Sequence, residues 1–221
     1  MKLERSSVPL IADVEYDDLT AEIVKPFDLA PEQHVGFFPW AKPDLPETWS
    51  IGLIVGASGS GKSVLLREFG GETPVEWLPN RSIASHFGDV ETARSLLYAV
   101  GLNSIPVWRL PYNVLSNGQK FRADLARRLR PNGVIDEFTS VVDRNVAVAA
   151  SKAINGWASR QSEPMRLVLA SCHRDIIPWL RPDWLIDTDG GEFVTGHVQA
   201  RPTWYMEHIR KEEPVGALIL K

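Results

Sequence analysis

The amino-acid sequence predicts an α/β fold with a mostly parallel core sheet, and three observations carry that expectation. Short apolar runs alternate with stretches of helical period between residues 51 and 187, as strands buried on both faces and crossed over by helices must read. The run at 51–55, Ile-Gly-Leu-Ile-Val, passes through a glycine-rich turn into a segment that can continue as a helix. A second run, Val134-Ile135, ends in the acidic pair Asp136-Glu137, at the kind of strand end where open α/β sheets place their ligands.

Each element has its own signal. Residues 1–50 carry Pro9, Pro26, Pro31, Pro39, Pro43 and Pro46, so short antiparallel strands are expected there, one of them over 21–25. Phe37, Phe38 and Trp40 form an aromatic cluster that serves either as core-edge packing or as a face on which an adenine ring stacks. The helix at 64–69 stops at Gly70-Gly71. Residues 74–79 form a short extended stretch ending at proline. Val90, Ala93, Leu96, Leu97 and Val100 give 85–101 a helical period, with Gly101 as its stop. Phe121, Leu125 and Leu129 share one face of a helix over 119–130, ended by Pro131-Asn132-Gly133. A helix over 142–157, a buried strand over 166–171 and a hairpin of 184–187 with 193–198 around Gly190-Gly191 complete the chain.

Composition narrows the function classes. The chain has 221 residues, of which 44% are apolar and 24% charged, with a formal net charge of −4. That is one ordinary globular domain with no general attraction to nucleic acid or anionic lipid. The single cysteine, Cys172, excludes an internal disulfide and suits a reducing compartment, so a cytoplasmic location is expected. Met1 to Arg5 carry no apolar leader pattern, and no run approaches the roughly 20 apolar residues of a bilayer span, so no direct membrane insertion is expected.

Chemistry concentrates in Gly56-Ala57-Ser58-Gly59-Ser60-Gly61-Lys62-Ser63, which reads G-x-x-x-x-G-K-S. The glycines let successive backbone N–H groups turn inward on a phosphate, and the helix N-terminus adds its positive end. Lys62 then reaches the terminal phosphates and the Ser63 hydroxyl ligates Mg²⁺. Asp136 is the second candidate for the metal. Glu137, pointing elsewhere because strand side chains alternate, is the candidate that polarises an attacking water.

Leu115-Ser116-Asn117-Gly118-Gln119 resembles the L-S-G-G-Q signature that opens a helix in ATP-binding-cassette (ABC) ATPases, with Asn117 at the third place. A serine hydroxyl, a glycine N–H and a helix N-terminus make a second anion site, and Asn117 is expected to keep a left-handed turn there. The resemblance runs over roughly residues 50–190. It implies a P-loop NTPase of ABC type, with a single domain over 1–200, a small helical subdomain at about 82–130 and a tail at 201–221. In such proteins Ser116, Gly118 and Gln119 would cover the γ-phosphate of ATP held by the other copy of a head-to-tail homodimer. Ser140-Val141-Val142-Asp143 sits where the family has S-A-L-D, which makes Asp143 a dimer contact. His173 sits where the family has its γ-phosphate-sensing histidine. Asn80, in Trp77-Leu78-Pro79-Asn80, stands in place of the family's glutamine and becomes a third candidate for Mg²⁺.

The segments 115–126, 135–138 and 170–175 are similar to those of stand-alone ABC ATPases, some phage-encoded and some fused to a predicted acetyltransferase-like domain. Residues 201–210 resemble the junction at which that extra domain begins. The resemblance implies a soluble ATPase that switches a macromolecular partner, nucleic acid or protein. The basic helix residues Lys120, Arg122, Arg127, Arg128 and Arg130 would serve nucleic acid or simply a solvated face. A transporter's ATP-binding subunit and a non-hydrolysing ATP-gated interaction module remain the other readings.

Overall fold

The computed structural model describes residues 1–13, 17–27, 34–72, 74–140 and 142–196. Val141, the expected strand end at 197–198 and the tail at 201–221 lie outside the described residues. Five strands form the main sheet: β3 (Ile51–Val55), β4 (Val134–Ile135), β5 (Leu167–Ser171), β6 (Trp184–Asp187) and β7 (Glu192–Thr195), in the order β4-β5-β3-β6-β7. All neighbours are parallel except the last pair, the hairpin β6-β7. Near the N-terminus β1 (Leu10–Asp13) pairs antiparallel with β2 (His34–Phe37) in a separate two-stranded sheet. The α/β class and its antiparallel N-terminal strands are thus as the sequence predicts.

The strands are apolar throughout because both faces are covered. Leu53, Val55, Leu167, Leu169 and Leu185 point into one core. There they meet the helices α3 (Val90–Ala99), α4 (Ile105–Trp108), α5 (Asn117–Arg128), α6 (Arg144–Ala158) and α7 (Ile177–Leu180). Ile54, Val168, Ala170, Trp184 and Ile186 point the other way, onto Leu65 and Leu66 of α2 (Lys62–Arg67) and onto Trp49 and Phe193. Complete burial of a leucine such as Leu53 or Leu169 stabilises the fold by roughly 2 kcal/mol each. Gly52 sits inside β3 because a Cβ there would run into the Trp184 indole on the neighbouring strand.

Three local expectations are corrected. Residues 21–25 are not a strand: α1 (Asp18–Val24) is a helix, nucleated where the Asp17 carboxylate accepts the Thr20 N–H at 2.8 Å. The helix expected over 85–101 is two pieces. A 3-10 turn covers Ile83–His86, and α3 begins only after Gly88, with the Asp89 carboxylate capping Thr92 N–H at 2.8 Å. Asn117 is not left-handed either; it is the first residue of α5, so the turn needs no special backbone. The stop at Gly101 holds. Its N–H bonds to Tyr98 O and that of Leu102 to Leu97 O, at 3.0 and 2.9 Å, the paired closure of a left-handed C-terminal turn.

Candidate functional site

Between β3 and α2 the loop from Gly56 to Gly61 turns tightly enough that Gly61 takes φ = 94°. A Cβ there would also meet Phe37 Cζ at 2.8 Å, so the β2 aromatic lies directly against the loop. α3, α5 and α6 each begin under a side-chain cap, from Asp89, Ser116 and Asp143, whereas α2 has none. Its first-turn N–H groups are therefore available to an anion. The Lys62 ammonium folds back to donate to Gly56 O at 2.9 Å and Ala57 O at 2.7 Å.

A cavity of about 490 Å³ opens here. Ser58, Gly59, Gly61, Lys62 and Ser63 line it from one side, Asp136, Glu137 and Ser140 from the other, and Phe37 and Cys172 complete it. Apart from Phe37 of β2, these residues follow the C-terminal ends of β3, β4 and β5, which explains how segments over a hundred positions apart meet. Of the three aromatic candidates only Phe37 reaches the cavity. Trp40 packs beneath Gly191, donates its indole N–H to Thr188 O at 3.1 Å and carries the Arg5 guanidinium at 3.5 Å, while Phe38 is exposed.

Past the acidic pair the backbone is strained. Glu137 (φ = 48°) and Thr139 (φ = 74°) are both left-handed without being glycine. Phe138 N–H holds this turn to Ala170 O at 2.7 Å, and the Ser140 hydroxyl donates to Glu137 O at 2.8 Å. The strain brings Thr139 Oγ1, fully buried, to His173 Nδ1 at 3.1 Å and to Ser171 Oγ at 3.3 Å. Ser171 Oγ also accepts the His173 backbone N–H at 3.0 Å, and between Ser171 and Thr139 either hydroxyl can be the donor. Where Thr139 donates to Nδ1 the ring proton of neutral His173 sits on Nε2, and where Nδ1 donates to Thr139 it sits on Nδ1. Burial, then the nearby Arg144, hold His173 below the ordinary histidine range against the pull of Asp175, so the ring is neutral near pH 7. Sequence reading missed Thr139 and Ser171, since neither residue type is distinctive in isolation.

The helix-opening motif stands elsewhere. Ser116 and Gln119 close a capping box, with Gln119 Oε1 accepting Ser116 N–H at 3.0 Å and Ser116 Oγ accepting Gln119 N–H at 3.4 Å. Ser116, Gly118 and Gln119 do not line the cavity beside the phosphate-type loop. Asn117, Lys120, Asp124 and Arg128 on one face of α5 instead line a second cavity of about 630 Å³ that shares Asp136, Glu137 and Ser140 with the first. Glu72, another residue the sequence did not single out, lines the second cavity and links Asp136 to α5. Its carboxylate accepts Asp136 N–H at 3.2 Å and pairs with Arg128 Nε at 3.1 Å.

Asn80 lies outside both cavities, exposed in a left-handed turn (φ = 62°). Trp77 before it is clamped onto α5, donating to Asp124 Oδ1 at 2.7 Å and stacking on Tyr112, whose hydroxyl donates to Asp124 Oδ2 at 2.7 Å. Burial and the Asp124 carboxylate push the Tyr112 phenol well above its usual range. The Asp143 carboxylate accepts the N–H groups of Asn145 and Val146 at 2.9 and 3.0 Å, capping α6.

Two solved structures are similar to this fold as a whole. The dimeric structure of MJ0796, a bacterial ABC transporter cassette, matches with a TM-score of 0.52 at 15% identity, over 72% of this chain and 88% of that one. CbiO1 from Clostridium perfringens, part of the ABC transporter complex CbiONQ, matches with a TM-score of 0.51 at 15% identity, over 87% and 94%. The fold is that of an ABC ATPase cassette. No family model and no curated protein matches the sequence. Among the described residues of this cassette-like chain, no helix is long and apolar enough to cross a membrane.

Proposed function

We propose that this chain binds Mg·ATP and hydrolyses it between two head-to-tail copies, using the closure of the pair to switch a macromolecular partner. The observation that carries the reading is that Lys62, Ser63, Asp136 and Glu137 line one cavity together. Among the described residues no group of three or more His, Cys, Asp or Glu side chains could hold a metal alone. A hydroxyl and one carboxylate fit Mg²⁺, which commonly completes its shell with substrate phosphates and water. Ser63 and Asp136 would hold it, and when bound it would supply charge neutralisation at the β- and γ-phosphates.

The chain's own residues do the rest. Lys62 exchanges Gly56 O and Ala57 O for phosphate oxygens. The first-turn N–H groups of α2 cradle the β-phosphate, and Phe37 offers the base an aromatic face. Glu137 orients and polarises the attacking water. His173 stands next to Cys172 at the cavity wall without lining the cavity itself, and in the tautomer with its proton on Nε2 it would donate toward the γ-phosphate. Catalysis of this kind is mostly positioning and charge stabilisation. Ser116, Gly118 and Gln119 stand away from their own chain's cavity, which supports their acting on the nucleotide of a second copy, with Asp143 at the same contact.

Lys120 lies over Tyr112, Arg127 over Trp77, and Arg128 pairs with Glu72. With this charge engaged inside the chain, a basic helix for nucleic acid loses support, and a protein partner becomes the stronger expectation. Kinship with stand-alone ABC ATPases remains part of the proposal. A transporter's ATP-binding subunit is the second reading, favoured by the two transporter cassettes whose fold the chain shares. Co-purification with a multi-span membrane subunit separates the two.

The test of the site itself is nucleotide binding and turnover by purified protein. Lys62→Ala is expected to abolish ATP binding. Glu137→Gln is expected to keep binding, to lower turnover by about 100-fold or more and to accumulate an ATP-loaded dimer. Wild-type turnover in Glu137→Gln would reject the role given to that carboxylate.

A further inference from the structure

One carboxylate touching the phosphate loop has no part in the mechanism above. Asp189, just past β6, accepts the Ala57 N–H with both oxygens, at 2.9 and 3.0 Å. Arg174, next in sequence to His173, donates through Nη2 to Asp189 Oδ2 at 2.6 Å and to Asp187 Oδ1 at 3.0 Å. Arg174 is 8% exposed and Asp187 2%, so the pair forms a buried post, whereas Asp189 at 33% stands at the rim. Asp187 Oδ1 also accepts the Asp189 N–H at 2.9 Å, which fixes the turn that carries the rim carboxylate. Beside it Thr188 Oγ1 lies 2.6 Å from Ser60 Oγ and donates to Val55 O at 3.0 Å.

A negative charge next to a polyanion site works against binding unless that charge is neutralised and put to use. Here both conditions are met. Burial alone would raise Asp189, yet the bonds from Arg174 and Ala57 N–H and the nearby Lys62 hold it below the usual carboxylate range. The Ala57 residue is gripped from two sides, its N–H by Asp189 and its carbonyl by Lys62. When Lys62 turns to a phosphate, Asp189 is the remaining side-chain anchor among these bonds.

Building on the ATP-binding reading, we propose that Asp189, held in place by Arg174, is a positioning residue that fixes the entry of the phosphate loop through Ala57 and ties it to the His173 turn. Its contribution is to nucleotide affinity, not to the chemical step.

The experiment is Mg·ATP binding by titration calorimetry, with steady-state turnover and thermal unfolding, on the full chain as wild type, Asp189→Asn, Arg174→Lys and the double variant. Asp189→Asn loses a charge-assisted bond and is expected to weaken ATP binding by about ten-fold. KM should rise in step while kcat changes far less, and the unfolding midpoint should stay near that of wild type. Because Arg174 acts through Asp189, the double variant is expected to bind no more weakly than Asp189→Asn. If Asp189→Asn does not fold, Arg174→Lys, which keeps a cation beside Asp187, carries the same test of affinity. Wild-type protein that binds no ATP removes the reading on which the proposal rests. Wild-type binding with unchanged affinity in the variants overturns the proposal alone. So does an additive loss in the double variant, a fall in kcat at constant KM, or a loss of affinity that only follows a collapse of the unfolding transition.

Discussion

Thr139 is the residue whose conformation costs the fold most visibly and serves the site most directly. A β-branched side chain at φ = 74° is strained, by about 1–3 kcal/mol for such backbone, and Phe138 N–H to Ala170 O helps to offset it. The result is a hydroxyl fixed against His173 Nδ1. Because burial, then Arg144, hold His173 below its ordinary value of about 6.5, the ring takes up its proton only at lower pH than a free histidine. The His173-dependent part of kcat is therefore expected to be flat above about pH 6.5 and to fall only on the acid side. A pH–rate profile of wild type against His173→Ala checks this, and the variant should lack that acid limb. The sign for stability is the same. The unfolded chain takes up the proton first as pH falls below the ordinary value, so folding stability declines there and levels off below the lowered folded value.

At the scale of elements, α5 organises the helical half through one acid that composition does not flag. Asp124 accepts the Trp77 indole N–H and the Tyr112 hydroxyl, so it holds the segment leaving the phosphate-loop side onto the helix that Ser116 caps. Asp124→Ala would leave two part-buried donors without their acceptor, and is expected to destabilise the chain by about 2–4 kcal/mol. The urea midpoint measures this, and a loss below about 0.5 kcal/mol would contradict the clamp.

The elements also separate what was legible in the sequence from what was not. Runs such as 51–55 and 167–171 announced buried strands because both their faces are covered. Helix ends set by glycine were equally legible, as at Gly101. α1 was misread because it buries none of its residues, so no apolar stripe marked it; only Asp17, three before Thr20, carried the signal. The break before α3 lay in Gly88-Asp89, where a cap overrode an apolar period that runs on through it.

Across the whole molecule, the sheet brings three strand ends to one cavity; the loops after β3 and β4 carry motifs legible in the sequence, whereas the β5 end contributes Cys172, which no motif singles out. The partners that hold these loops were not legible. Ala57 with Asp189, Thr139 with His173 and Asp136 with Glu72 are paired over separations of 132, 34 and 64 residues. Nothing in a single sequence registers such contacts. Asn80 shows the converse: a position assigned by order along the chain, exposed and away from the cavity once folded. Ser116, Gly118 and Gln119 do not line the cavity that Lys62 lines, and in the proposed pair a second copy brings them to it.

The most direct test is the rate of ATP hydrolysis per subunit, followed over a dilution series with the mass of the species present. Activity that falls on dilution as an ATP-loaded dimer gives way to single chains is the predicted result. A constant rate per subunit from particles of monomer mass would contradict it.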